Sequence, residues 1–183
     1  EAEYRTLVQK QGVDAVIGYI SSGDCLALGP VTEELKKLTI FFDCGTPRVF
    51  EEKAYTHLFR TGPTALMDSL GAARYIVAQN PGLMKVNGIN QNYAWGQDSW
   101  NDFIASVKKL KPGVEAGTSQ MPKLFAGQYS AEISALMLQE ADFVHSSFWG
   151  GDMESFMQQA KARGMLAKQT AILTTGETAM FRI

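Results

Sequence analysis

The chain has 183 residues, with 17 Lys and Arg against 19 Asp and Glu, a formal net charge of −2 and 45% hydrophobic residues. That length buries a real core, as one large domain or two small ones. Mixed, nearly balanced charge supplies no field for nucleic acid or an anionic membrane surface, and no apolar run approaches the roughly 20 residues that span a bilayer.

In chain order, the opening "EAEYRTLVQKQGVDAVIG" reads as the last turns of a helix feeding a buried strand over 13–20. The start of the fold is therefore expected upstream, and "GETAMFRI" brings no evident close. No charged-then-apolar signal segment opens the chain. Strand-length apolar runs follow at 39–43, 84–89, 114–119, 142–148 and 170–174, with helices predicted at about 25–37, 64–79, 97–110, 129–140 and 151–163. Ile133, Leu136, Met137 and the pair Glu140 to Ala141 illustrate the helical spacing. Such alternation predicts an α/β fold, a parallel sheet with helices on its faces. One stretch breaks the rhythm: "YTHLFRTGPT", residues 55–64, is extended and carries Gly62 and Pro63 just before a long helix. Gly-Pro ahead of a helix suits a crossing between lobes. The expected division is a partial N-terminal lobe, 1–61, and a nearly complete second α/β lobe, 62–183, with the crossing near Thr61 to Thr64. No internal repeat or low-complexity segment appears.

Ligands of parallel α/β sheets collect where strand carboxyl ends lead into helix N-termini. The loops to inspect are then Ser21 to Asp24, Cys44 to Pro47, Asn90 to Gly96, Ser146 to Gly151 and Thr174 to Thr178. Ser21, Ser22 and Gly23 offer hydroxyls and backbone N–H groups at a helix start, a setting for an anion. Neither phosphate-loop glycine pattern is present, so a carboxylate fits better, although the two serines taken alone read as helix caps. In "FFDCGTP" the Cys44 carbonyl and the Thr46 hydroxyl supply an acceptor and a donor, or else Gly45 and Pro47 simply make a turn. Tyr93 and Trp95 in "NQNYAWGQ", and Phe148 and Trp149 in "SSFWGG", are aromatics able to close over an apolar ligand. Trp95 reads as packing, whereas Trp149, between a strand and Gly150, is placed to reach out. Cys25 and Cys44 have no metal-ligand spacing around them; two buried thiols and a disulfide both remain open. No metal or other cofactor is expected. Catalysis is disfavoured too. His57 and His145 are not obvious bases for Ser21 or Ser22, no nucleophile elbow exists, and Asp24, Asp43 and Glu177 serve as well to bind a ligand.

Taken together, "VDAVIGYISSGD", "TIFFDCGTP", "HLFRTGPT", "NQNYAWGQDSW" and "ADFVHSSFWGGDMESFMQQAKARGM" resemble the periplasmic solute-binding proteins of ABC transporters for branched-chain amino acids and related ligands. The resemblance runs along nearly the whole chain in order. It implies a type I periplasmic binding fold, two lobes that close on a small molecule by hinge motion, of which this chain is a truncated part. It further implies a ligand carboxylate on Ser21 and Ser22, with Ser22 at the key serine position. Cys44, Gly45 and Thr46 would hold the carboxylate and amino groups, Tyr93 and Trp149 would cover the ligand beside Phe148, and Glu177 would take an amine. Aromatic enrichment points to the subgroup taking aromatic or other hydrophobic carboxylates. The implied partners are that ligand and a membrane permease, the implied location is the periplasm, and there a Cys25–Cys44 disulfide becomes natural. A ligand-sensing receptor or regulator of the same fold is the alternative, and an α/β hydrolase a more distant one.

Overall fold

The alternating runs fold as parallel βα units. The computed structural model describes residues 1–175 and divides the chain into two units, Glu1–Ala65 and Leu66–Ile183. Glu177, and all of the Thr174 to Thr178 loop beyond Thr175, lie outside the described residues.

The first unit begins with α1 (Ala2–Arg5), which continues as a π-helical turn, Thr6–Lys10, before β1 (Ala15–Gly18). Then come α2 (Ser22–Glu34), β2 (Leu38–Phe41), α3 (Arg48–Glu51) and β3 (Leu58–Arg60). The strands are parallel in the order β1-β2-β3, with Ile17 opposite Ile40 and Ile40 opposite Phe59. Alternate residues Val16, Phe41 and Leu58 join Tyr4, Leu28, Val31 and Val49 in one core. Thr39, buried on the same face, bonds the Tyr4 hydroxyl at 2.7 Å. The opposite face carries Ile17, 71% exposed, and Phe59, 53% exposed. Parallel sheets are ordinarily buried on both faces, and among the described residues this one is covered on one.

The second unit takes in α4 (Ala65–Gln79, apart from its first residue), β4 (Lys85–Ile89), α5 (Ala94–Leu110), β5 (Glu115–Gln120), α6 (Ser130–Leu138), β6 (Phe143–Ser146) and α7 (Gly150–Ala162). A 3₁₀ turn, Met165–Ala167, leads into β7 (Thr170–Leu173). Its strands are parallel in the order β5-β4-β6-β7. Successive residues of β6 serve opposite faces: Phe143 packs with Val86, Phe103 and Val107, and Val144 with Ile133, Leu136 and Phe156. That two-sided burial is why β6 carries Phe143 and Val144 in succession and all four of its residues are buried. β5 lies on one side of β4, and β6 and β7 on the other, so the connections diverge between β4 and β6. A crevice at the strands' carboxyl ends belongs at such a switch point.

Elements begin and end a little apart from their sequence-predicted bounds. The helix expected from 25 starts at Ser22, because small polar residues that resemble loop are also good first-turn residues, and the one expected from 97 starts at Ala94. β3, within the stretch read only as extended, is a true third strand, and the division of the chain falls after Ala65.

Two buried polar side chains shape the second core. Asn87 is satisfied from every side: its Oδ1 accepts the Thr118 N–H at 3.0 Å, and its Nδ2 donates to Gln139 O at 2.7 Å and Gln169 Oε1 at 3.1 Å. It thereby closes the carboxyl end of α6. His145 is the opposite case. It is fully buried, its ring stacked on Phe103 with centroids 4.2 Å apart, and neither ring nitrogen has a hydrogen-bond partner among the described residues. Burial pushes its pKa down to about 3.

The stability consequence follows from linkage. Above the unfolded pKa of about 6.5 the ring is neutral in both states and contributes no pH dependence. As pH falls below that value the unfolded chain binds a proton that the folded one refuses, so stability is lost progressively toward pH 3. Between pH 7 and pH 5 the loss expected from this residue is about 2 kcal/mol. Urea unfolding of the full-length protein at both pH values checks it, with His145→Leu expected to lose that share of the dependence.

Packing around Gly96 gives a second expectation. A Cβ there would stand 2.0 Å from the Gln91 carbonyl oxygen, a backbone atom that cannot turn aside. Gly96→Ala is expected to cost about 1–3 kcal/mol, read as a lowered urea midpoint with an unchanged slope.

Candidate functional site

In the first unit, the loops after β1 and β2 meet. Tyr19 leaves β1 with φ of 68°, in the left-handed region, and Ser21 then enters α2 in extended conformation without a side-chain capping bond. The capping role that sequence alone favoured for the serines is thus not what Ser21 does. Ser22, buried in the first turn, accepts the Thr46 N–H on its Oγ at 3.1 Å, which ties the α2 turn to the β2–α3 turn. Cys25 and Cys44, both buried, form a disulfide between the same two segments, with Cα atoms 6.3 Å apart. Gly45 is held by its carbonyl, which accepts the Ala65 N–H at 2.8 Å. Thr46 is wholly buried, its Oγ1 accepting the Arg48 N–H at 3.3 Å.

One residue central to this arrangement escaped the sequence reading. Arg60, at the end of β3, donates from Nη1 to Cys44 O at 2.8 Å and to Thr46 O at 2.7 Å. Its guanidinium lies 5.3 Å from the centroid of the Phe50 ring. Burial lowers its pKa, with Glu51 acting in the opposite direction, yet an arginine stays charged throughout the ordinary range. The signal was present in "HLFRTGP", and taking 58–60 as a strand would have put Arg60 at a carboxyl end beside the other two.

In the second unit the expected aromatics separate. Tyr93 and Trp149 are the extended N-cap residues of α5 and α7, and Trp149 Nε1–H donates to the Tyr93 hydroxyl at 2.8 Å. Trp95 anchors its own loop instead, donating to Ser147 O at 2.9 Å. Phe148, expected with the ligand contacts, has a fully buried ring packed on Tyr129 and Phe156, with centroids 5.1 and 5.6 Å away. Adjacent residues leaving a strand point to opposite sides, so one of the Phe148–Trp149 pair had to go inward.

Behind the aromatics stands a buried polar frame that sequence reasoning missed. Asn90 Oδ1 accepts both the Ser147 N–H at 2.9 Å and the Ser147 hydroxyl at 2.7 Å, which locks the β4 and β6 loops together. Asp152, in the first turn of α7, accepts Gln91 Nε2–H and the Phe125 N–H on its Oδ2, each at 2.8 Å. A carboxylate at that position also suits the helix dipole. The remaining amide atoms, Asn90 Nδ2 and Gln91 Oε1, are buried without a hydrogen-bond partner among the described residues.

Chemistry by a nucleophile and base finds little here. Asp24 and Asp43 are exposed, with Asp43 raised by partial burial, while His57 lies 3.3 Å from Glu33 and His145 is enclosed in the second core. Among the described residues no cluster of three His, Cys, Asp or Glu is placed to hold a metal, and no helix is long and apolar enough to cross a membrane.

Comparison with known proteins defines the class. A family model described as periplasmic binding protein matches residues 1–181, and the chain belongs to that family, one of binding proteins and not of enzymes. Among curated relatives, a Leu/Ile/Val-binding protein homolog 4 from Brucella abortus (strain 2308) is 24% identical over 153 residues, covering 76% of this chain and 36% of its own. Among solved structures, a solute-binding protein of an ABC transporter from Rhodopseudomonas palustris HaA2, in complex with p-hydroxybenzoic acid, superposes with a TM-score of 0.84 at 20% identity. It covers 95% of this chain and 47% of its own. One from R. palustris in complex with benzoate gives 0.85 at 19% identity, over 94% of this chain and 46% of its own. A periplasmic binding protein from Burkholderia mallei gives 0.86 at 20%, over 94% and 45%. The type I periplasmic binding fold is therefore shown, and the chain spans less than half the length of these relatives.

The cross-link between the two turns has a measurable weight. With 19 residues of sequence separation, loop closure assigns the Cys25–Cys44 bond about 3 kcal/mol. Replacing both cysteines by Ala in the full-length protein should lower unfolding stability by that order in urea titration. Adding a thiol reductant to the unaltered protein should approach the same value.

Proposed function

We propose that this chain is the ligand-holding part of an extracytoplasmic solute-binding protein that delivers a small aromatic or other hydrophobic carboxylate to the permease of an ABC importer. The observation that carries the reading is the junction of Ser22 and Thr46. An α2 first turn whose N-cap side chain makes no capping bond stands beside a second turn held to it through Ser22 Oγ and the Cys25–Cys44 bond. First-turn amides lack intrahelical partners and, with the helix dipole, favour an anion.

In this reading Ser21 and Ser22 receive the carboxylate with the Cys44, Gly45 and Thr46 turn, and Tyr93 and Trp149 cover the apolar part. Arg60 favours a ligand without an amine: it already donates to the Cys44 and Thr46 carbonyls that an ammonium would seek, and it sets a positive charge beside them. Glu177 then has no amine to neutralise. The benzoate and p-hydroxybenzoic acid of the R. palustris structures suit the same chemistry. A disulfide supports an oxidising compartment such as the periplasm.

Calorimetric titration of the full-length protein with benzoate, 4-hydroxybenzoate, leucine and valine tests the proposal. Binding of a benzoate at least tenfold tighter than either amino acid is expected; tighter binding of leucine or valine would reverse the choice of ligand, and no binding by any would remove the carboxylate reading. Ser22→Ala should weaken the preferred acid by about 10–100-fold, the usual weight of a hydrogen bond to a charged group.

A further inference from the structure

The loop that follows β5 presents an aromatic ring that the ligand reading above does not use. Phe125 is 65% exposed and has φ of 59°, a left-handed conformation that a bulky side chain rarely adopts. The loop is nevertheless tied down. The Phe125 N–H donates to Asp152 Oδ2 at 2.8 Å, and Asp152 is buried and braced by Gln91. Pro122 O accepts the Asn92 N–H at 2.8 Å, and Gln159 Nε2–H donates to Gly127 O at 3.0 Å. The ring itself meets Trp149 edge to face, with centroids 5.5 Å apart and planes at 81°. A well-anchored loop that holds a phenyl ring in solvent at the cost of backbone strain is a construction seen at ligand clamps.

Position supports the same conclusion. Tyr93, Phe125 and Trp149 follow β4, β5 and β6, the strands around the switch point, and all stand at carboxyl ends. Trp149 links the three, bonding Tyr93 through its indole N–H and packing on Phe125 through its ring. A second, independent observation lies at the same strand ends: Asn90 Nδ2 and Gln91 Oε1 are buried polar atoms without a hydrogen-bond partner among the described residues. Buried polar atoms are normally satisfied, and such exceptions ask for a bound partner.

We propose that Phe125 is a specificity-determining residue of the binding site, forming with Trp149 an aromatic wall that selects flat aromatic acids over aliphatic acids of similar size. The inference rests on the carboxylate-binding reading and deepens it. Edge-to-face contact rewards a π-face beyond its buried area, so benzoate should gain where the saturated ring of cyclohexanecarboxylate does not.

The test uses the full-length protein with benzoate, cyclohexanecarboxylate and leucine as probes, in three forms: unaltered, Phe125→Gly and Phe125→Tyr. Glycine removes the ring and accepts the positive φ, so the unliganded melting temperature should hold or rise. Benzoate affinity should fall about tenfold while cyclohexanecarboxylate affinity changes by less than about threefold, collapsing the preference between them. Phe125→Tyr should retain that preference. Equal benzoate affinity in the unaltered and Phe125→Gly proteins overturns the inference and leaves the carboxylate reading standing. An equal fall for all three probes overturns a role in selection. Failure of the unaltered protein to bind any probe overturns the carboxylate reading, and this inference with it.

Discussion

Parallel strand pairing is the constraint on which everything else depends. Because all strands of a sheet run one way, their carboxyl ends and the N-termini of the following helices collect along one edge of that sheet. Three helices that begin there, α2, α5 and α7, share a local solution: an extended N-cap residue whose side chain makes no capping bond. At these positions stand Ser21, Tyr93 and Trp149. Side chains not engaged in capping are available for other contacts, as the Trp149–Tyr93 bond illustrates. Each sheet's edge therefore gathers polar backbone and helix starts, the raw material of a binding site.

Each unit organises the edge of its own sheet by different means. In the first, a covalent bond and charge-assisted hydrogen bonds hold it: the disulfide joins the two turns, and Arg60 draws two carbonyls onto one nitrogen. In the second, neutral buried amides do it, with Asn90 coupling two loops and Gln91 reaching Asp152. Burying amides is tolerable only when nearly all their atoms are paired, and Asn87 meets that standard where Asn90 and Gln91 each fall one atom short. The contrast separates a residue that closes the core from residues that stand at strand ends. His145 shows a third case, a ring without a hydrogen-bond partner among the described residues and stacked on Phe103.

Much of this was legible in the sequence because it depends on periodicity and strand ends. The α/β class, most strands and the loops that carry Ser22, Thr46, Tyr93 and Trp149 all follow from those signals. What escaped has physical reasons. β3 is only three residues long and includes an arginine, too short for a pattern to register, and Arg60 went unnoticed with it. Phe148 and Trp149 are adjacent aromatics, and which one turns inward depends on strand register, which composition does not encode. Gln91, Phe125 and Asp152 come together across more than sixty residues of chain, a long-range bond network with no local signature. The α2 boundary slipped because a first helical turn made of Ser, Gly and Asp resembles the loop it follows.

The disulfide also has a meaning in time. Both of its cysteines precede residue 45, and the described ties that hold the two turns of the first unit, through Ser22, Arg60 and Ala65, are made within the first 65 residues. During vectorial synthesis or export, N-terminal elements emerge and fold first. The paired turns of the first unit can thus be locked together while β4 to β7 are still unmade, so that their geometry does not wait on the rest of the chain.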